Sequence, residues 1–423
     1  MFTPSERAIA AGGQPIADLM SRALGNPHLI SLAAGFVDQS SLPVETMRVA
    51  TEKVLGDPQR AQTALQYGEN AGLPLFRDLI LSRLRQADDL TNHPLTTQNV
   101  VVTAGSNQLL NLIAEVLLDP GDIALCAAPS YLVWTGVVKG VGARSLGIAT
   151  DDQGLIPEAL DAELARLESI GELERVKLIY VIPYFDNPRG ISMPDARRAA
   201  VVEIAQRWSK HHPIHVLSDN AYRELRYRGD DIPDTITHDS MLETVIVAGT
   251  FSKSFAPGIR LGYGVLPAHL VGPVTDIKSN IDFGSPCLNQ HIMAEVISSG
   301  LYDAQVHRVC DNYQHKLQVM LTACDEHLSR IDGVHWVRPD GGLYVWVELP
   351  ASLDAGSHGE LFEVALREGV FYVPGECCFA AEGAPSRPNS MRLSFGVQSP
   401  EGIRTGIAAL ARAIDEVARR QAA

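Results

Sequence analysis

The sequence lacks the features that mark membrane, secreted and disulfide-rich proteins. No run approaches the about 18 uninterrupted apolar residues that a membrane-spanning helix needs. Residues 1–25 contain no basic segment followed by an apolar core, so we expect a cytoplasmic protein. Six cysteines in 423 residues are too few for a disulfide scaffold, and no pair has the CxxC spacing of a metal site. We therefore expect the cysteines to be reduced and structural.

Long blocks of one charge and nucleotide-binding loops are also missing. The net charge of −15 disfavours nucleic acid and anionic membranes as partners, because clustered Lys and Arg are needed to bind both. Neither a GxxxxGK[ST] loop nor a GxGxxG motif after a strand occurs, so no nucleotide cofactor is indicated. Any phosphate group must therefore be bound by local contacts.

Three histidines, His211, His212 and His215, lie close together in the sequence. They flank Pro213, where a predicted helix gives way to a strand, and no carboxylates accompany them at metal-ligand spacing. We interpret them as a surface turn rather than a metal site.

Strands and helices alternate from about residue 99 onward. A strand over 99–103 is followed by apolar residues at helical spacing, which end at Pro120-Gly121. Further strands are predicted over 123–126, 177–182, 214–217 and 244–247, and a helix over 194–210. This alternation predicts an α/β fold with a mostly parallel, doubly wound sheet.

The pattern changes in the C-terminal third. One long helix is predicted from Pro286 to about Ile331, followed by strands over 334–337 and 343–347. A helix over 359–368, strands over 370–373 and 391–395, and a final helix from about Pro400 complete a smaller α+β unit. A chain of this length usually divides into two domains. We predict a larger domain over residues 49–290 and a smaller one formed by residues 1–48 and 291–423.

Ligands of such sheets bind beyond the carboxyl ends of the strands, where several polar segments of this sequence lie. Lys253 lies among Thr250, Ser252 and Ser254, with Arg260 further along. Hydroxyl groups, a cation and backbone amides can hold a phosphate dianion, and burial beside positive charge makes a lysine nucleophilic. On local composition alone, a solvated surface lysine is the simpler reading.

Three other segments follow predicted strands. Ser106 and Asn107 begin a helix, where free amides and the helix dipole favour an anion, although Ser106 can also act only as a cap. Asp219 follows an apolar strand and can pair with a protonated pyridine nitrogen, while Tyr222 can reach the phenolic oxygen of the same ring. Asn187 precedes a proline and can aim its amide at that oxygen. Taken singly, each segment also fits a turn.

Together these segments resemble the fold-type I aminotransferases of class I/II, which depend on pyridoxal phosphate (PLP), and the resemblance covers nearly the whole chain. It is closest to 2-aminoadipate and aromatic aminotransferases and to the aminotransferase domain of MocR regulators. The motifs that carry it are Leu65-Gln66-Tyr67, Thr103-Ala104-Gly105-Ser106, Ala128-Pro129-Ser130-Tyr131, Asn187-Pro188, Asp219-Asn220-Ala221-Tyr222-Arg223-Glu224-Leu225, residues 249–261 and Pro339-Asp340-Gly341-Gly342.

The resemblance implies a role for each matching residue. Lys253 would carry PLP as a Schiff base and move the proton between the substrate and the cofactor. Arg392 would bind the substrate α-carboxylate through a bidentate pair, and Gly35 would contact the substrate through its backbone. The cofactor contacts would be Ser106, Asn107, Thr250, Ser252 and Arg260 at the phosphate, Tyr131 stacked on the ring, Asp219 at its nitrogen, and Asn187 and Tyr222 at its phenolic oxygen. Tyr67 would reach the phosphate from the partner subunit of a homodimer, and residues 285–289 would help to complete that site.

The sequence departs from the family pattern at two places that we expect to lie near the substrate. Arg189 stands where the family commonly has Thr, and Phe36-Val37-Asp38-Gln39 replaces the usual Leu-Pro pair. Relatives that bind an acidic side chain can carry an arginine on the N-terminal helix. Ala17 falls at that position, with Arg7 and Arg22 as the nearest arginines.

The leading hypothesis is ping-pong transamination between an L-amino acid and a 2-oxo acid. The alternative enzyme is a PLP-dependent lyase, such as a carbon-sulfur lyase, on the same scaffold. A third reading is a sensor that binds PLP without turnover, although the full set of Lys253, Asp219 and Arg392 argues against it.

Overall fold

The computed structural model describes residues 2–12, 26 and 28–422. Its strands are β1 (Ile30–Ser31), β2 (Val100–Thr103), β3 (Ile123–Ala128), β4 (Arg144–Asp151), β5 (Gly154–Leu155), β6 (Val176–Val181), β7 (His215–Asp219), β8 (Val245–Thr250), β9 (Gly262–Val265), β10 (His335–Trp336), β11 (Tyr344–Glu348), β12 (Val370–Phe371), β13 (Val373–Pro374), β14 (Glu382–Gly383) and β15 (Ser390–Ser394).

The α-helices, numbered over the described residues, lie before, between and after these strands. They are α1 (Glu6–Ala11), α2 (Val44–Leu55), α3 (Pro58–Ala64), α4 (Pro74–Asp88), α5 (Ser106–Leu117), α6 (Leu132–Gly140), α7 (Pro157–Ser169), α8 (Asp195–Trp208), α9 (Ala268–Asp282), α10 (Cys287–Ser298), α11 (Leu301–His327), α12 (Glu360–Arg367) and α13 (Pro400–Ala422).

The largest sheet has the strand order β14-β4-β3-β6-β7-β8-β9-β2, with β5 paired to β4. Strands from β14 to β8 run parallel, and only β9 in this path runs antiparallel to its neighbours. Central strands such as β7 are buried along their whole length, which explains their continuous apolar sequence. The predicted mostly parallel α/β sheet is confirmed.

Several predicted bounds differ from those in the structure. β8 continues three residues beyond the predicted end at Val247, through the small residues Ala248 and Gly249 to Thr250. The predicted single helix over 286–331 is wrong, because α10 and α11 are separate helices. Gly300 separates them with a φ of 72°, a left-handed conformation that ends helices and that glycine adopts without strain.

A second, antiparallel sheet has the order β10-β11-β15-β13. β1 pairs in parallel with β12, so the beginning of the chain lies against its C-terminal part. This arrangement brings residues 30–33 close to β15.

The histidine prediction needs a correction. His215 is 3% exposed, and its ring centroid lies 5.2 Å from that of His269, so it does not belong to a surface turn. Burial lowers its pKa to about 4. Among the described residues, no three His, Cys, Asp or Glu side chains form a group that could hold a metal ion. Over the same part of the chain, no helix is both long and apolar enough to span a bilayer.

Candidate active site

A cavity of about 500 Å³ lies beyond the carboxyl ends of the parallel strands. It brings together twelve predicted site residues: Gly35, Ser106, Asn107, Tyr131, Asn187, Asp219, Tyr222, Thr250, Ser252, Lys253, Arg260 and Arg392. The remaining predicted residue, Tyr67, does not line it. Residues that follow the parallel strands meet here, as such a sheet requires, and Gly35 and Arg392 join them from other parts of the chain.

Lys253 lies in the turn that follows β8. Its Nζ donates a hydrogen bond of 2.7 Å to the backbone carbonyl of Gly35. Phe251 and Phe255 on either side of it are buried, which fixes the turn and directs the half-buried lysine into the cavity. The solvated-surface reading of this lysine is therefore wrong.

The turn after β2 and the turn after β8 face each other at one end of the cavity. Ser106 is the first residue of α5, so the free amides of that helix end are directed here. The Arg260 guanidinium donates a 3.0 Å hydrogen bond to the carbonyl of Ala104, which joins the two turns. The Thr250 and Ser252 hydroxyls lie 3.0 Å apart at the same place. Donors and positive charge suited to a phosphate dianion are thus gathered here.

Asp219 is the last residue of β7 and is 4% exposed. Its carboxylate accepts a 2.8 Å hydrogen bond from the Tyr180 hydroxyl and a 3.2 Å bond from the Ala221 amide. Burial raises the pKa of Asp219 to about 6, although these hydrogen bonds and the charge of Lys253 act in the opposite direction. A buried carboxylate of this kind is suited to a cationic ring nitrogen, which would restore its ordinary ionisation.

Arg392 lies in the middle of β15 and is 2% exposed, so its side chain is buried rather than solvated. One terminal nitrogen donates to Asn187 Oδ1 and the other to the carbonyl of Ala33, both at 2.8 Å. Its Nε has no hydrogen-bond partner in the described part of the chain. A buried guanidinium with unused donor capacity is suited to a carboxylate ligand.

The comparisons with known proteins agree with this geometry. A model of the family "Aminotransferase class I and II" matches residues 27–410. The chain belongs to this aminotransferase family. Aromatic-amino-acid aminotransferase 1 of Thermococcus litoralis is 33% identical over 412 residues, which cover 97% of this chain and 94% of that protein. The 2-aminoadipate transaminase of Thermus thermophilus is 31% identical and covers 92% of this chain and 90% of its own length.

Solved structures give the same result. A multiple substrate aminotransferase from Thermococcus profundus superposes with a TM-score of 0.89 at 32% identity, covering 99% of this chain and 98% of that one. The predicted fold-type I fold, the PLP cofactor and the assignment as an enzyme that transfers amino groups are therefore confirmed. None of the relatives named here is a lyase.

Two tyrosines that the sequence did not single out contact the predicted site residues of the aminotransferase. Tyr344 lines the cavity, its hydroxyl lies 3.2 Å from that of Tyr222, and its ring lies 4.2 Å from the guanidinium carbon of Arg392. Burial opposes ionisation of Tyr344, yet the charges of Arg392 and Lys253 lower its pKa, whereas burial raises the pKa of Tyr222. A tyrosine on a strand near Gly341-Gly342 gives no local signal that its side chain lines the cavity.

Tyr180, the partner of Asp219, could have been found from the sequence. It lies one residue before the end of β6, two positions from Leu178 and Ile182, and therefore on the same face of the strand. Its ring stacks on that of Trp134 at a centroid distance of 4.7 Å. A polar aromatic residue at this position beside β7 is placed to reach the end of that strand.

The two departures from the family pattern have different outcomes. Phe36 lines the cavity, as expected for a residue near the substrate. Arg189 does not, because its buried guanidinium lies 3.5 Å from the Asp186 carboxylate and donates to the carbonyl of Asp151. Ala17 and Arg22 lie outside the described residues. Arg7 forms a surface ion pair with Glu115 and does not line the cavity.

Proposed function

We propose that the cavity catalyses ping-pong transfer of an amino group from an L-amino acid to a 2-oxo acid, with Lys253 as the catalytic residue. The observation that carries this assignment is the convergence of Lys253, Asp219 and Arg392 on one cavity from three different strands. When bound, PLP supplies an electron sink for the charge that remains after the substrate α-carbon loses its proton.

Lys253 holds the cofactor and then moves the proton. Its Nζ donates a 2.7 Å hydrogen bond to the carbonyl of Gly35, and Lys253 lines the same cavity as the turns after β2 and β8. A single amine that is first a nucleophile and then a general base and acid accounts for both halves of the reaction.

The other cofactor contacts follow the layout of the strand ends. The phosphate would be held by residues whose amides, hydroxyls and guanidinium meet at one end of the cavity, namely Ser106, Asn107, Thr250, Ser252 and Arg260. Asp219 would pair with the ring nitrogen, Tyr131 would stack on the ring, and Asn187 and Tyr222 would orient its phenolic oxygen, since all four line the cavity.

Arg392 binds the α-carboxylate that amino acids and 2-oxo acids have in common. The same guanidinium therefore binds the substrate in both half-reactions, as a ping-pong mechanism with one active site requires. Asn187 is uncharged, and its Oδ1 accepts the 2.8 Å hydrogen bond that holds the Arg392 guanidinium in place. The backbone of Gly35 borders the same space.

We further propose a cytoplasmic homodimer with shared sites. Tyr67 is 78% exposed, its ring lies 5.6 Å from that of Phe283, and Leu65 is exposed beside it. Exposed aromatic and aliphatic side chains grouped in this way favour a protein partner. A second copy would bury them and bring Tyr67, with residues 285–289, to the neighbouring phosphate site. The six unpaired cysteines are typical of a reducing compartment.

The domain division is part of the same proposal. Strands β2 to β9 fall within residues 49–290, and the antiparallel sheet falls within residues 291–423. The C-terminal segment also adds the short strand β14 to the edge of the large sheet. β1, from the N-terminal segment, pairs with β12 of the C-terminal segment, which favours one smaller domain built from both chain ends.

Half-reaction spectroscopy tests the function. The holoenzyme is mixed in turn with L-phenylalanine, L-leucine, L-alanine, L-glutamate and L-2-aminoadipate, and then with 2-oxoglutarate. We expect the visible band of the holoenzyme to disappear with at least one donor and to return with the oxo acid. L-Cystathionine, whose β-carbon carries a sulfur leaving group, is tested alongside, and release of pyruvate, ammonia and the thiol from it without this interconversion would favour the lyase instead.

Subunit mixing tests the shared site. Lys253→Ala and Tyr67→Ala variants are each assayed alone and then after exchange of subunits. If Tyr67 acts in the partner's site, the mixed dimer contains one native site and gains activity over both parents. If Tyr67 acts within its own subunit or not at all, mixing gains nothing.

A further inference from the structure

Residues 32–41 form a segment that contributes Gly35 and Phe36 to the cavity wall. At its start, the Ser394 amide donates a 2.6 Å hydrogen bond to the carbonyl of Leu32. At its end, the Gln305 side chain of α11 donates a 2.7 Å bond to the carbonyl of Ser41. The segment therefore extends from β15 to α11, and its middle part meets the substrate space.

The middle of the segment is held by a buried ion pair. Asp38 is 8% exposed, Lys316 of α11 is 3% exposed, and the two charged groups lie 3.0 Å apart. Asn312 donates a 2.6 Å hydrogen bond to the same carboxylate, and the Asp38 amide donates a 2.9 Å bond to the Tyr313 hydroxyl. One face of α11 thus binds both the side chain and the backbone of Asp38.

Lys316 also reaches the end of the strand that carries Arg392. Its Nζ donates a 3.1 Å hydrogen bond to the carbonyl of Gly396. A Cβ at Gly396 would lie 2.5 Å from the carbonyl of Phe36, so the two backbones are in direct contact there. Lys316 therefore connects the segment with the chain just beyond β15.

These contacts bear on the reaction through Gly35 and Phe36. Neither Asp38 nor Lys316 lines the cavity, yet the carbonyl of Gly35 lies 2.7 Å from Lys253 Nζ and Phe36 forms part of the substrate-side wall. A shift of the segment would move both groups relative to Lys253. Small displacements of positioning groups reduce the rates of enzyme reactions strongly.

We propose that the Asp38–Lys316 ion pair positions Gly35 and Phe36 against the substrate and thereby sets substrate affinity, which rests on the function proposed for the cavity. Asp38 and Lys316 are positioning residues. Their loss should weaken substrate binding while cofactor binding, built on the turns after β2, β7 and β8, is retained.

Three holoenzyme variants test this: Asp38→Asn, Lys316→Met and the double variant. Each single variant leaves one buried charge without its partner, whereas the double variant removes both charges. The ligand is the α-methyl derivative of the best donor in the panel above, which binds but has no α-proton to lose. Its dissociation constant is read from the cofactor absorbance, and thermal unfolding and proteolysis within residues 32–41 are measured in parallel.

We expect the dissociation constant to rise about tenfold or more in all three variants, with faster cleavage of the segment and unchanged retention of the cofactor. The double variant should regain much of the thermal stability that each single variant loses, without regaining ligand affinity. Asp239→Asn is the matched control, because Asp239 is 1% exposed and accepts bonds from the Thr244 and Val245 amides at the other end of β8. Asp239→Asn should lower the thermal stability and leave the dissociation constant of the ligand unchanged.

Two results would overturn the proposal. Ligand affinity that recovers together with stability in the double variant would mean that the ion pair has only a structural role. Unchanged affinity in the single variants would mean the same. If the wild-type holoenzyme fails to react with every donor of the panel, the proposed function itself is wrong, and the positioning role is lost with it.

Discussion

The proposed cofactor side and the proposed substrate side of the cavity differ in where their residues come from. On the cofactor side, Ser106, Asp219 and Lys253 lie at or just after the ends of β2, β7 and β8, strands of one sheet. On the substrate side, Gly35 and Arg392 come from an N-terminal segment and a strand of a different sheet. The first group is fixed by the geometry of the sheet, whereas the second depends on contacts between distant parts of the chain.

This difference has a consequence for the effects of substitutions. A change on the cofactor side leaves the scaffold in place and should act on cofactor binding, its spectrum and the chemical step. A change on the substrate side should act on the affinity for amino acid and oxo acid. If this distinction holds, substitutions on the two sides should change different measured quantities.

Lys253→Ala should have the largest effect, a fall in turnover of about 10³-fold or more, because the proton loses its carrier. Borohydride should no longer attach the cofactor to the protein, as mass spectrometry of the intact chain would show. Lys210→Ala is the control, since Lys210 pairs with Glu168 at the surface and should be silent. Cofactor attached to the Lys253→Ala protein after reduction would contradict the assignment.

Arg392→Gln should lower kcat/KM by about 10²-fold for both the amino acid and the oxo acid, mainly through KM, because a buried charge partner is lost. The absorbance of the holoenzyme should remain. Arg189→Gln is the matched control, because Arg189 is also buried but lies outside the cavity. It should lower thermal stability and leave KM unchanged. Equal rises of KM in both variants would show that the substrate side is not specific to Arg392.

The same difference explains what the sequence could predict. Polar residues after apolar strands identified the cofactor side, because parallel strands bring their carboxyl ends to one edge. Lys253 and Asp219 therefore lie together as expected, even though each alone had a simpler reading. The resemblance to a family supplied Gly35 and Arg392, which no local pattern distinguishes.

Apart from Tyr180, the features that were missed depend on tertiary contacts. Tyr344 reaches the site only because β11 pairs with β15 beside Arg392. Asp38 and Lys316 are 278 positions apart, and nothing in either neighbourhood predicts a buried ion pair between them. Arg189 was expected near the substrate, but its guanidinium instead donates a 2.9 Å hydrogen bond to the carbonyl of Asp151 at the end of β4.

The third prediction concerns pH and the cofactor side. Burial raises the pKa of Asp219 in the protein to about 6, above its ordinary 3.8, so the native state binds this proton more tightly than the unfolded state. Asp219 therefore stabilises the apoprotein fully below about pH 4, and that contribution is lost as the pH rises through about 6. A cationic ring nitrogen needs the ionised form, so cofactor binding should show the opposite trend.

Binding of pyridoxamine phosphate to the apoprotein measures this directly, because that ligand forms no covalent bond with Lys253. Its affinity should fall about tenfold from pH 7 to pH 5 in the wild type, and less in Asp219→Asn, which binds weakly at both values. If the affinity falls with pH equally in the wild type and in Asp219→Asn, protonation of Asp219 does not control binding of this ligand. In substrate-side variants such as Arg392→Gln, the affinity for pyridoxamine phosphate should depend on pH as it does in the wild type.

Tyr344→Phe should have the smallest effect and tests where the two sides meet. Its hydroxyl lies 3.2 Å from that of Tyr222 on the cofactor side, whereas its ring lies against Arg392 on the substrate side. Removing only the hydroxyl costs about 1 kcal/mol, or about fivefold in kcat, and should leave KM unchanged because the ring remains against the guanidinium. Tyr344→Leu removes the ring as well and should raise KM. If Tyr344→Phe raises KM as much as Tyr344→Leu does, the hydroxyl acts on substrate binding. Tyr344 would then belong to both sides of the cavity, and substitutions there could not separate the two sides.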